Sequence, residues 1–260
     1  MGLLENKVAL ITGCRGICQA TILASAREGA NVAFTYLPNI KEDVAAAKKI
    51  IEDVTSMRRR ALSIAADVRK IDDVKNAVKK TLDEFGKIDV LVNCAGVYTY
   101  AWALETTEEV YNYNMDINLR GTLLFCQEVA KSAMIPQKRG RIVNIASCVG
   151  VMPQDHTLAY SLAKAGVIHL TRNLAREWAQ YGIGVNCVSP GFTLTETMKT
   201  AIEHGHVNSE ALLKIIPAKR FAKPEEIAEA IVWLASDKCL YCTGANLLID
   251  GGMLAGYSPL

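Results

Sequence analysis

Lys7–Cys18 reads KVALITGCRGIC, and this stretch decides the fold. Lys7–Thr12 is a near-continuous apolar run of strand length. A run without polar alternation suits a strand buried on both faces, as in a parallel sheet. The run breaks at Gly13 and Gly16, and a helical pattern over Cys18–Glu28 follows, ending at Gly29. A tight glycine turn from strand to helix lets backbone approach an anion at the helix N-terminus, where free N–H groups and the positive end of the dipole lie. Glycines also occupy such turns for steric reasons alone, so this turn by itself leaves function open.

Outward from it, apolar β-rich runs recur at Asn31–Tyr36, Arg60–Ala66, Ile88–Asn93, Gly140–Ser147, Gly184–Ser189 and Asn246–Ile249. Helical patterns fill the gaps: Glu42–Met57, Ile71–Phe85, Thr107–Ser132, Leu158–Tyr181 and Pro224–Ala235. Pro224 opens its helix with φ pre-set, and Glu225 and Glu226 suit the positive end of the dipole. The alternation predicts a doubly wound α/β fold: one parallel seven-stranded sheet, helices on both faces, right-handed crossovers. Ligands of such sheets bind at the carboxyl ends of the strands, where the strand order reverses. No linker, repeat or low-complexity segment divides 1–260, which reads as a single domain. Residues 192–217 are the least patterned and are expected to form a lid over the substrate.

Composition narrows the function. The 260 residues carry 29 basic and 27 acidic side chains, a net charge of +2, so no global field draws nucleic acid or an anionic membrane. No apolar run reaches bilayer length, and no basic-then-apolar leader opens the chain. Eight cysteines are present. Cys239 and Cys242 have a two-residue spacing, but no second pair of ligands lies nearby, so no metal is expected. His204 and His206 lack a further ligand and read as exposed lid residues. Without an export signal, reduced thiols and a cytoplasmic location are the expectation.

Tyr160-Ser161-Leu162-Ala163-Lys164 lies inside a helical pattern, and residues four apart share a helix face. A phenol titrates near pH ~10 when unperturbed. A neighbouring ammonium lowers that value and makes the phenol a usable acid/base. Taken alone, this spacing is more often a surface helix pair. Ser147 ends the fifth run, 13 residues before Tyr160, where a hydroxyl can donate to a carbonyl oxygen that becomes an alkoxide; it also reads as a cap. Asn118 falls in mid-helix, where Asn is a poor former. It reads as a kink or water site linking to Lys164, or as a buried Asn bonded to backbone.

Together, Thr12-Gly13…Gly16, Asp67-Val68, Asn93-Cys94-Ala95-Gly96, Asn118, Ser147, Tyr160…Lys164, Pro190-Gly191 and Asp250-Gly251-Gly252 resemble the short-chain dehydrogenase/reductase family over about residues 5–253. Gly140–Ser189 and the helix opened by Lys223-Pro224 are similar to 3-oxoacyl-[acyl-carrier-protein] reductases. The resemblance implies a Rossmann fold and an oxidoreductase that passes hydride between a nicotinamide and a carbonyl or secondary alcohol. It implies that Tyr160 exchanges the proton, Ser147 fixes the substrate oxygen, Asn118 keeps a relay water, and Lys164 holds the nicotinamide ribose while depressing the Tyr160 pKa. It places Gly13, Gly16 and Ile17 at the pyrophosphate, Asp67 and Val68 at adenine, and Asn93, Ala95 and Gly96 at the adenine ribose. Pro190, Gly191 and Thr193 would face the nicotinamide, with Thr195 near carboxamide or phosphates.

Two departures stand out. Only Cys14 and Arg15 separate Gly13 from Gly16, one residue fewer than the family pattern, and Cys18 replaces its last glycine. A further change is Cys94, where the family has a second Asn. An acid after the second strand marks NAD use, and Tyr36 stands there instead. Arg15 offers a guanidinium to a 2′-phosphate, so NADP(H) is expected over NAD(H). Tyr98, Tyr100 and Trp102 read as an aromatic pocket wall or as lid and subunit contacts. The resemblance further implies a homotetramer or homodimer, paired through the Thr107–Ser132 and Leu158–Tyr181 helices with Gly251–Leu260 near a contact. It also admits acyl carrier protein as a partner, at Lys131 and Arg176. Two alternatives stay open: a non-catalytic binding or regulatory protein whose short loop has lost its cofactor, and redox gating through Cys14 and Cys18.

Overall fold

A computed structural model of the chain describes residues 2–205 and 207–256. Its seven strands are β1 (Val8–Ile11), β2 (Asn31–Tyr36), β3 (Ala61–Ala65), β4 (Val90–Asn93), β5 (Gly140–Ile145), β6 (Ile183–Pro190) and β7 (Asn246–Ile249). They form one sheet in the order β3-β2-β1-β4-β5-β6-β7, and every pairing is parallel. The order reverses between β1 and β4, which puts the ligand crevice beyond their carboxyl ends.

The helices are α1 (Ile17–Arg27), α2 (Lys41–Ser56), α3 (Ile71–Phe85), α4 (Glu108–Asn114), α5 (Gly121–Val129), α6 (Ile135–Gln137), α7 (Leu158–Trp178), α8 (Glu196–Glu203), α9 (Ser209–Ile215) and α10 (Pro224–Ala235). Successive strand residues point to opposite faces. Ala9, Ile11, Val90, Val92, Val143 and Ile145 therefore join α1, α2 and α10 in one core. Leu10, Leu91 and Ile142 join α3, α5 and α7 in the other. Both faces are apolar, as the unbroken runs predicted.

Two expectations change in detail. The single helix expected over Thr107–Ser132 runs on to Gln137 and is interrupted by π-helical turns at Met115–Arg120 and Ala130–Met134. Residues 192–217 are not without pattern: α8 and α9 form there because Thr195 and Asn208 accept the Met198 and Ala211 N–H groups as caps. Capping is a one-residue signal, easily lost in a stretch lacking strong periodicity.

Candidate active site

The glycine turn is held from both sides. Thr12 Oγ accepts the N–H groups of Cys94 and Ala95, each at 3.0 Å, and Gly13 N–H donates to Thr35 Oγ at 2.9 Å. Gly13 and Gly16 have φ of +86° and +57°, a region open to glycine. At the start of α1, Gly16 supplies no side-chain cap and the first turn carries no acid. Cys18 N–H closes back on the Arg15 carbonyl at 3.1 Å, and the start of the helix still offers the positive end of its dipole to an anion, so the turn fits a pyrophosphate despite being one residue short. A Cβ on Gly16 would stand 3.1 Å from Thr195 Cγ2, which places Thr195 across from the turn. Cys18 Sγ lies 2.8 Å from where a Gly13 Cβ would be, and Ala95 Cα 3.3 Å, so the sulfur fills the floor of the turn. Burial and Asp43 push the Cys14 thiol up to about 12. A raised pKa disfavours the thiolate at Cys14.

Ser147, Tyr160, Lys164, Gly96 and Asn118 come together beyond β4 and β5. Lys164, 4% exposed, donates from Nζ to the Ile145 carbonyl at 2.8 Å. Its Nζ is 5.5 Å from the Tyr160 ring centre. Burial lowers its pKa to about 8. Burial pushes the Tyr160 phenol up to about 12, against a hydrogen bond with Ser147 that lowers it. Desolvation thus sets the direction of the phenol's shift, opposite to the depression that the sequence reading expects. Ser147 Oγ also accepts the Val149 N–H at 3.4 Å, so it caps and faces Tyr160 at once. Asn118 is the backbone-bonded Asn: Oδ1 accepts from Val97 N–H at 3.1 Å and Nδ2 donates to the Val97 carbonyl at 3.0 Å. A Cβ on Gly96 would stand 2.8 Å from Asn118 Oδ1 and 3.5 Å from Lys164 Nζ, so glycine is required for this approach.

The remaining residues divide. Pro190 ends β6, and a Cβ on Gly191 would meet Asp250 Cα at 2.8 Å. Thr193 is bridged to Ala222 and its hydroxyl donates to the Gly191 carbonyl at 3.1 Å. The Asp67 carboxylate pairs with Arg69 at 2.6 Å, which holds its pKa down; Val68 is buried beside Gly121. Asn93 turns away from the crevice: its Nδ2 donates to Asn144 Oδ1 at 2.9 Å inside the sheet. Tyr36 closes β2, half-buried. Ile17 begins α1, where it packs partly buried against the first core.

The aromatic residues sort themselves as well. Tyr98 meets Tyr160 edge-on, ring centres 5.1 Å apart. Tyr100 and Trp102 enclose His156 instead, at 4.3 and 3.6 Å. Among the described residues no His, Cys, Asp and Glu group is arranged to hold a metal; His206 lies outside them. No helix among them is long and apolar enough to cross a membrane.

Thr35 and Asp43 escape a reading by motif. Asp43 lies in the first turn of α2, where an acid is already explained by the helix dipole. Yet it is 8% exposed, and its Oδ2 accepts the Leu37 N–H at 3.1 Å. Arg15 Nε stands 2.6 Å from its Oδ1. That N–H is poorly aimed, so the buried Oδ1 has no aligned hydrogen bond. The terminal amino groups of Arg15, on a half-exposed side chain paired with Asp43, make no aligned hydrogen bond among the described residues.

This geometry has close counterparts. Residues 11–254 match the family model described as enoyl-(acyl carrier protein) reductase. A 3-oxoacyl-[acyl-carrier-protein] reductase of Synechocystis sp. is 38% identical over 256 residues, 98% of this chain and 99% of that one. An NAD-dependent glycerol dehydrogenase of Listeria innocua is 38% identical over 250 residues, covering 96% and 94%. The crystal structure of a blue fluorescent protein from a metagenomic library, in complex with NADPH, superposes with a TM-score of 0.88 at 32% identity, covering 96% and 99%. With the reversal of strand order, the open glycine turn and the Ser147–Tyr160–Lys164 cluster, these likenesses establish that the chain belongs to the short-chain dehydrogenase/reductase family of oxidoreductases.

Proposed function

We propose that the chain is an NADP(H)-dependent carbonyl reductase or alcohol dehydrogenase with Tyr160 as its acid/base. The observation that carries this reading is the clustering of Tyr160 with the buried Lys164, whose Nζ lies 5.5 Å from the phenol ring centre, and with Ser147 at the end of β5. The dinucleotide, when bound, supplies or accepts the hydride. A phenol raised to about 12 keeps its proton at neutral pH, so Tyr160 stands ready as a donor to a carbonyl oxygen. Ser147 Oγ orients that oxygen. Lys164 carries the charge that holds the ribose hydroxyls. Asn118 acts as a positioning residue, fixing the Gly96–Val97 backbone against Lys164 and so serving the proton relay.

Gly13, Gly16 and Ile17 take the pyrophosphate in this reading, with Thr195 opposite. Val68, Ala95 and Gly96 line the adenosine side and Pro190, Gly191 and Thr193 the nicotinamide side. Arg15 receives the 2′-phosphate, and Tyr36 leaves no acid at the end of β2 to oppose it. The NADPH-bound relative supports this preference.

Tyr98 forms the wall next to Tyr160, and residues 192–217 close over an apolar carbonyl substrate. The acyl-carrier-protein reductases among the relatives make a carrier-bound thioester a candidate. Lys131 and Arg176, both exposed, are the basic residues to meet such a carrier. The long α4–α6 run and α7 pair subunits of a homotetramer or homodimer, and the protein works in the cytoplasm.

Ketones, quinones and acyl thioesters offered with NADPH test the activity. On whichever substrate turns over, Tyr160→Phe is expected to cut kcat by about 10²–10⁴-fold and spare NADPH affinity. Turnover undiminished in that variant refutes the assigned proton route.

A further inference from the structure

We infer that Asp43 is a second determinant of cofactor choice, a carboxylate behind Arg15 that moderates the preference for a 2′-phosphate and keeps NADH usable. The inference rests on the cofactor site proposed above. Asp43 comes from α2, yet its bond to Leu37 N–H at 3.1 Å sets the carboxylate one residue beyond Tyr36, beside the place where an acid at the end of β2 would stand. A role in the helix dipole alone requires neither burial nor this reach back to the strand; Glu42 in the same turn serves that purpose from the surface.

The pairing with Arg15 works in two directions. At 2.6 Å, the negative charge of Asp43 largely cancels the field of Arg15 toward a phosphate. A phosphate held by Arg15 would meet a neutral pair rather than a lone cation. A ribose 2′-hydroxyl, by contrast, is a hydrogen-bond donor. Asp43 Oδ1 is a buried acceptor without an aligned donor. If Arg15 swings aside on its half-exposed side chain, Oδ1 is uncovered for that hydroxyl. Arg15 reads phosphate through its terminal amino groups, and Asp43 reads hydroxyl. That both an NADPH-bound protein and an NAD-dependent enzyme stand among the relatives agrees with a small change deciding between the two.

Asp43→Asn tests this, because the amide oxygen still accepts from Leu37 while the charge is gone. Dissociation constants for NADPH and NADH are measured for the native protein and the variant by fluorescence titration at one ionic strength. The NADPH-over-NADH preference is expected to widen about five- to tenfold in the variant. An unchanged ratio, equal weakening of both dinucleotides, or selective loss of NADPH overturns the inference. The native protein gives a reading independent of any variant. NADPH and NADH affinities within about tenfold of each other support the inference, and a preference above about a hundredfold overturns it. Native protein that binds neither dinucleotide refutes the proposed function itself, a result distinct from binding both with a ratio that Asp43 does not govern.

Discussion

Lys164 is costly where it stands. Its pKa falls from an ordinary 10.5 to about 8 because burial disfavours the ammonium. Between these values the unfolded chain holds more protons than the folded one, so this group makes stability rise with pH from about 8 to 10.5 and exacts its full cost below 8. Lys164→Met removes the buried cation at the expense of the bond to the Ile145 carbonyl. The variant is expected to be about 1–3 kcal/mol more stable than the native protein at pH 7, less so near pH 10, and inactive. Urea denaturation at the two pH values checks this; a variant less stable at pH 7 contradicts it. At this scale the residue types of the chemistry are legible in sequence, since Ser147, Tyr160 and Lys164 sit at spacings that a helix and a strand end make meaningful. Their environment is not. Nothing in the spacing of Tyr160 and Lys164 says that desolvation dominates both side chains, and the partner of Arg15 comes from α2, distant in sequence.

Among the elements, the α4–α6 run carries the clearest case of structure bent to a site. Asn118 lies in the π-helical turn Met115–Arg120 and ties both of its amide atoms to Val97, 21 residues away. The sequence signals that something happens there, because Asn is a poor mid-helix residue, but only the fold shows which backbone it serves. Asn118→Ala leaves the half-buried N–H and carbonyl of Val97 without their side-chain partner. It is expected to cost about 1–3 kcal/mol and to speed amide hydrogen exchange at Val97 relative to the core strands. An exchange pattern identical to the native protein's would separate Asn118 from the crevice. The short helices α8 and α9 show the opposite limit, where the local signal is one capping side chain each and a charge or two at the helix ends, spread over only two turns.

For the molecule as a whole, ligation is the simplest probe of whether the shortened glycine turn still works. With NADPH at about a hundred times its dissociation constant, the folded state gains ~2.7 kcal/mol, equivalent to a rise in melting temperature of roughly 5–10 °C for a chain of this size. No shift at saturating NADPH favours the reading as a non-catalytic family member. The architecture was the most legible part, because seven apolar runs separated by helical patterns admit few arrangements other than a doubly wound sheet. That same sheet is a bulkhead between two sealed compartments, one filled from α1, α2 and α10, the other from α3, α5 and α7. β1 is riveted into both, Ala9 and Ile11 on one side and Leu10 on the other, and the glycine turn hangs from its rim. Slack introduced in either compartment therefore bears on β1, the strand from which the turn at the mouth of the crevice springs.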